Sequence, residues 1–257
     1  MIAGFLLLAF GLVNSMRIIY VIMTILYVIA ALWRLKLTET TSNSDPIRFR
    51  YFVSSYPKAI KESFDVWKVV PRTALWLLVV QTLLMFGMSI FQVMNAIYAT
   101  EVLGIPKEQW WLTFIPLLLT MIVASIPIGK AVDKIGRKIP MLLGLSIFGV
   151  ATLLFAFGNL FTVMISMILF ACGQLLAMAA VMALSTDLVE PMNRGKVVGF
   201  RNFVGYIFSA IGMLLGNYLY ITFTPQTPFY ATLALVVPSF LVVLFLVHEQ
   251  VPPKSQG

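Results

Sequence analysis

The densest concentration of chemically capable residues is a ten-residue stretch, Gly129-Lys130-Ala131-Val132-Asp133-Lys134-Ile135-Gly136-Arg137-Lys138. Its single carboxylate, Asp133, can face a helix N-terminus or an arginine, while Arg137 and Lys138 can hold a loop at lipid headgroups. Gly129 would let helix ends approach closely, and Gly136 permits a tight, left-handed turn. A second polar stretch, Asp187-Leu188-Val189-Glu190-Pro191-Met192-Asn193-Arg194-Gly195-Lys196, follows two apolar runs later. Elsewhere, polar side chains are scattered through apolar surroundings: Gln81, Gln92 and Asn95 on one helical face with Met85 and Met88, then Gln174, then Asn202, Tyr206, Ser209 and Asn217. Polar groups facing lipid are costly, so these stripes should face either a water-filled cavity or a neighbouring helix through hydrogen bonds. No metal-ligand cluster, nucleophile–base pair or phosphate-binding glycine loop is present, which disfavours an enzyme or ATP-driven pump and implies no cofactor. The lone Cys172 permits no internal disulfide.

The elements that must position these groups are membrane helices. The chain has 257 residues, 60% hydrophobic and 11% charged, with mean hydropathy +0.96. Too few polar groups remain to cover a water-facing surface. Apolar runs at 73–98, 110–128, 139–157, 160–184, 197–220 and 229–247 each approach or exceed the roughly 20 residues needed to span hydrocarbon. Two earlier runs cover 2–13 and 18–33, and the first is too short to cross fully. Arg17 would be costly at mid-bilayer, which predicts two segments joined near Asn14-Ser15-Met16-Arg17. A signal peptide is not expected, because no basic n-region precedes the first run.

Charge supports this layout. With the loop after Trp33 placed inside, all but Arg17 and Lys107 of the 18 Lys and Arg residues fall in inside loops or the C-terminal tail. Such alternation is the asymmetry that orients membrane helices. The net charge of +8 is therefore a topology signal and not a nucleic-acid signature. Arg201 is counted in this scheme as a loop charge, so no ionisable side chain is expected in the middle of the last six helices. Residues 38–46 read as a flexible linker. Residues 57–70 read as an amphipathic helix, lying in the membrane interface or serving as a plain connector.

The Gly129–Lys138 stretch resembles the signature loop of the major facilitator superfamily, G-x-x-x-D-[RK]-x-G-[RK]-[RK], at every fixed position: Gly129, Asp133, Lys134, Gly136, Arg137 and Lys138. The Glu190-Pro191-Met192-Asn193-Arg194-Gly195 stretch resembles that family's acidic-Pro-x-x-Arg-Gly segment. The resemblance implies an all-α integral membrane fold. Residues 1–36 would end an N-terminal half, 37–72 would be the central cytoplasmic loop, and 73–248 a six-helix C-terminal transporter domain. Residues 249–257 would form a cytoplasmic tail. The run 2–13 with 18–33 would be part of helices five and six, with the other six being seven to twelve.

By the same resemblance the chain would move a small solute across the plasma membrane by alternating access, with lipid and solute as partners. A missing N-terminal half or a second copy would complete the site. The alternatives are a non-transporting multi-span scaffold and a half-transporter needing a partner chain. Asp133, Arg137, Glu190 and Arg194 would form a cytoplasmic charge latch, or else a set of solvated charges.

Overall fold

The computed structural model describes residues 2–36 and 70–249. Among them, seven helices are long and apolar enough to cross a membrane. The chain divides into two compact units, residues 1–60 and 61–257. The amphipathic helix expected at 57–70 falls, but for Val70, outside the described residues, as does the linker at 38–46.

The first unit contains α1 (Ile2–Arg34), which is broken at Gly11, where φ is 71° and ψ 170°. Only glycine adopts such a conformation without strain. Ser15 spans the break, its Oγ lying 2.6 Å from the Leu6 carbonyl and 2.6 Å from that of Gly11. The expected join at 14–17 is therefore corrected to Gly11. The break comes where a residue tolerates positive φ, and the charge at Arg17 follows it within the membrane-length segment Val13–Arg34.

The second unit holds the remaining helices: α2 (Arg72–Glu101), α3 (Phe114–Ile135), α4 (Lys138–Ala156), α5 (Leu160–Leu188), α6 (Pro191–Thr222) and α7 (Thr227–Leu246). A short 3₁₀ turn, Trp110–Thr113, leads into α3. Local chemistry sets these boundaries. Pro191 and Pro228 occupy first-turn positions, where a missing N–H costs nothing. Asn159 caps α5 through a reciprocal pair: Thr162 N donates to Asn159 Oδ1 at 3.1 Å, and Asn159 N donates to Thr162 Oγ1 at 2.6 Å. Gly136 ends α3 at φ 98°. Pro127 and Pro238 lie inside α3 and α7, as neighbours in a bundle permit.

α4 packs on α5 and α7, α2 on α6 and α7, and α3 on α5. The α2–α6 seam is tight because α6 presents glycine. A methyl group added at Gly212 would sit 2.8 Å from the Phe86 carbonyl oxygen, and one at Gly216 2.8 Å from that of Ile90. This is the small-residue seam by which membrane helices gain contact where lipid removes the hydrophobic incentive.

Two apolar cores lie at opposite ends of the unit. Near the α3–α4 turn, Leu77, Val80, Met141, Leu145, Val181, Leu184 and Val243 are buried together. At the far end Phe91 meets Phe170, Phe155 and Phe229 at centroid distances of 4.6, 4.9 and 5.5 Å. There the Tyr98 hydroxyl donates to the Ala156 carbonyl at 2.6 Å. By contrast, α3 exposes Leu118, Leu119, Ile122, Val123 and Ile126, and α6 exposes Phe203, Ile207, Ile211 and Leu214.

Candidate functional site

The α3–α4 turn is organised by Arg137. Its Nη1 donates to Asp133 Oδ1 at 2.7 Å and to the Val132 carbonyl at 3.1 Å. Its Nε lies 3.5 Å from Asp187 Oδ2 on α5. Its backbone N–H donates to Glu249 Oε1 at 2.6 Å, so a carboxylate beyond α7 sits at the N-terminus of α4, where the helix dipole favours negative charge. The Arg137 side chain is 21% exposed and Asp133 is 70% exposed. The hydrogen bond that Arg137 donates to Asp133, opposed by partial burial and reinforced by the charge of Asp187, raises the Arg137 pKa above its ordinary value. Through its guanidinium and its backbone N–H, Arg137 ties together the end of α3, the end of α5 and Glu249, three residues beyond α7.

Gly136 earns its place twice. Its φ of 98° belongs to glycine, and an added methyl group would lie 2.8 Å from Glu249 Oε1. Gly129 behaves differently from expectation, since nothing lies within 4 Å of a methyl group built there. It is a half-exposed position inside α3 and mediates no close helix approach. Lys134 is exposed and Lys138 half-buried.

The four-charge cluster expected from sequence is also redistributed. Among the described residues, Asp133 and Arg137 pair, but the second carboxylate is Asp187, not Glu190. Arg194 donates from Nε to the Val189 carbonyl at 3.1 Å and from Nη2 to the Thr186 carbonyl at 3.0 Å. It therefore caps the C-terminal end of α5, whose last carbonyls lack helical partners. Glu190 is exposed at the start of α6. Sequence reasoning missed Glu249 altogether. No local pattern marks it, since it reaches Arg137 only through the packing of α7.

Arg201 is the larger correction. It was expected among loop charges. Instead α6 begins at Pro191, so Arg201 lies on its third turn, on the face that carries Gly205, Gly212 and Gly216. It is 1% exposed. The last six helices therefore do carry a buried ionisable group.

Of the polar residues in the apolar runs, Gln174 lines a cavity of about 160 Å³ together with Leu84, Met85, Met88, Phe148 and Met178. Gln81 is buried one turn along α2 from Met85, and its Nε2 lies 3.9 Å from the Met85 sulfur. Gln92 and Asn217 are exposed, and Asn95 and Asn202 are half-exposed; none of the four lines this cavity. Ser209 meets Ser89 across the seam at 2.8 Å, which is the interhelical reading for that residue.

Membrane-length helices packed through glycine seams, with a basic charged turn between two of them, define a domain of a multi-span membrane protein. Residues 77–257 match the family model of the Major Facilitator Superfamily, and the chain belongs to that family. It is similar to the quinolone resistance protein NorA of Staphylococcus aureus (strain N315), with 26% identity over 154 residues, 60% of this chain and 39% of that protein. It is also similar to the inner membrane transport protein YajR of Escherichia coli (strain K12), with 31% identity over 154 residues, 58% of this chain and 34% of that protein. In each case the matched stretch covers well under half of the relative.

Proposed function

We propose that the chain carries a small solute across the plasma membrane by alternating access, as part of a secondary transporter. The observation that carries this is the Arg137 hub. The Arg137 guanidinium gathers Asp133 and Asp187, and its backbone N–H holds Glu249, so that three separate segments meet at one end of the bundle. Charge pairs of this kind can break and reform as helices rock, with each exposed pair worth only about 0–1 kcal/mol. Arg194, at the start of α6, holds the end of α5 through the Val189 and Thr186 carbonyls. The basic residues at this end favour a cytoplasmic orientation, with the C-terminus on the same side. In this reading residues 1–36 end one half of the transporter, 37–72 form the cytoplasmic loop, 73–248 form the second half and 249–257 the tail. Gln81, Gln92, Asn95, Gln174, Asn202 and Asn217 are the candidates for the solute path.

The name of the staphylococcal relative suggests a drug-like solute, and a fluorescent quinolone is the first probe. Cells producing the chain should accumulate less of it than vector controls. Equal accumulation for this and for a panel of other amphipathic dyes would overturn the transport reading.

A second reading is favoured by the bare apolar faces of α3 and α6. These fit a second bundle, either an N-terminal half or another copy of the chain. Cysteine crosslinking from Ile122 and Ile211 in membranes should capture that partner, and recovery of only uncrosslinked chain would rule it out.

A further inference from the structure

Arg201 is enclosed without compensation. Its Nη2 points at the Met182 sulfur at 3.3 Å, a weak acceptor, and its Nε and Nη1 are buried with no hydrogen-bond partner. Burying a guanidinium in this way is expensive unless a counter-charge arrives. On the helices around it, the carboxylates are Asp187 and Glu101. Asp187 is engaged by Arg137, and Glu101 closes the opposite end of α2.

A second unsatisfied group lies on α2, the helix that packs against α6. Along the α2–α6 seam Ser89 meets Ser209, and the Met85 sulfur fills the space over Gly205. Counting one turn back on each helix from those two pairs reaches Gln81 on α2 and Arg201 on α6. Gln81 is 2% exposed, and its Oε1 is buried with no partner. Met85 joins this polar pair to the 160 Å³ cavity, because it lines the cavity and also contacts Gln81. On α5 the same link is made by Met178, in the cavity wall, and Met182, one turn on, at Arg201.

We infer that Arg201 and the methionine-lined cavity form one binding site for a small amphipathic anion. The apolar body of the ligand lies among Met85, Met88, Phe148 and Met178, and a carboxylate group lies on Nε and Nη1 of Arg201. Arginine's planar donor fork suits a carboxylate, and methionine walls adapt to varied apolar shapes. Gln174 and the Gln81 side chain supply the remaining polar contacts, the latter recognising a protonated or hydroxylated neighbour of the carboxylate. The space available is that of a single ring, since an apolar cavity of about 150 Å³ accommodates benzene. An acidic side chain from another segment fits less well, because Arg201 is only 1% exposed.

This inference rests on the transport reading for its purpose, yet its test is independent of transport. Benzoate, benzamide and benzylamine share one ring and differ in head-group charge. Titrated into the full chain in lipid nanodiscs, followed by calorimetry, benzoate should bind at least about tenfold more tightly than either of the others, the yield of one charge-assisted contact in a dry site. Arg201→Gln should erase that preference and Arg201→Lys should retain part of it. Should Arg201→Gln not fold, Met178→Trp, which fills the cavity, should abolish benzoate binding while leaving the charge in place. Equal binding of the three compounds, or a benzoate preference that survives Arg201→Gln, would overturn the site, even in a chain that transports. A benzoate preference in a chain that moves no solute would support the site and count only against transport.

Discussion

The Glu249 carboxylate accepts a hydrogen bond from the Arg137 backbone N–H at 2.6 Å, although the two residues are 112 positions apart. The contact fastens the segment after the last helix to the start of α4, beside the glycine that turns the chain between α3 and α4. Glu249→Gln keeps the shape and removes the charge. A charge-assisted hydrogen bond to a partly exposed amide is worth about 1–2 kcal/mol, so thermal unfolding of the purified chain should shift down by a few degrees. An unchanged midpoint would mean that the carboxylate contributes nothing at the helix terminus.

Gly136→Ala should be the most damaging small change in the turn. The substitution forces a side chain onto a φ of 98° and into the Glu249 carboxylate. Backbone strain of this kind costs about 1–3 kcal/mol. Combining it with Glu249→Ala should recover the steric part of the loss and leave the backbone part, a partition that a double-mutant cycle on thermal stability would read directly.

Asp133→Asn separates stability from conformational choice. The Asp133–Arg137 pair is an exposed i,i+4 contact, worth about 0.3–0.5 kcal/mol, so the unfolding midpoint should hardly move. That same energy changes a two-state population by roughly twofold. Thiol labelling of a cysteine placed at Lys134 should therefore change in rate by about that factor, whereas Arg137→Ala, which also loses Val132 and Asp187, should change both rate and stability.

The glycines of α6 offer a matched pair. Gly212→Ala pushes a methyl group to 2.8 Å from a carbonyl of α2 and should loosen the seam, lowering the midpoint by several degrees. Gly199→Ala lies on the same helix with nothing within 4 Å. There the helix propensity of alanine should prevail, stabilising by about 0.5–1 kcal/mol. Comparing the two by thermal unfolding in one detergent tests whether packing or backbone entropy governs each position.

The membrane helices and the charged turn were legible because each rests on local chemistry: length of apolar run, side of charge, and the Gly-Asp-Gly spacing of 129, 133 and 136. What could not be read locally is what other helices bring. Asp187 takes the role expected of Glu190 because the last turn of α5 points it at Arg137. Glu249 arrives through the course of α7. Arg201 looked like one more loop cation because the apolar run begins near Val197. The helix in fact begins at Pro191, six residues before that run. Gly129 shows the converse error, in which a motif position was assigned a packing duty that its surroundings do not impose.

The two ends of the six-helix unit are fastened by unlike means, ion pairs around Arg137 at one and the aromatic cluster of Phe91, Phe155, Phe170 and Phe229 at the other. Ionic strength reaches only the first, because screening acts on exposed charges and leaves stacked rings untouched. Raising salt thus slackens one mouth of the bundle while the opposite mouth keeps its grip, so the buffer itself becomes a one-sided lever on the molecule.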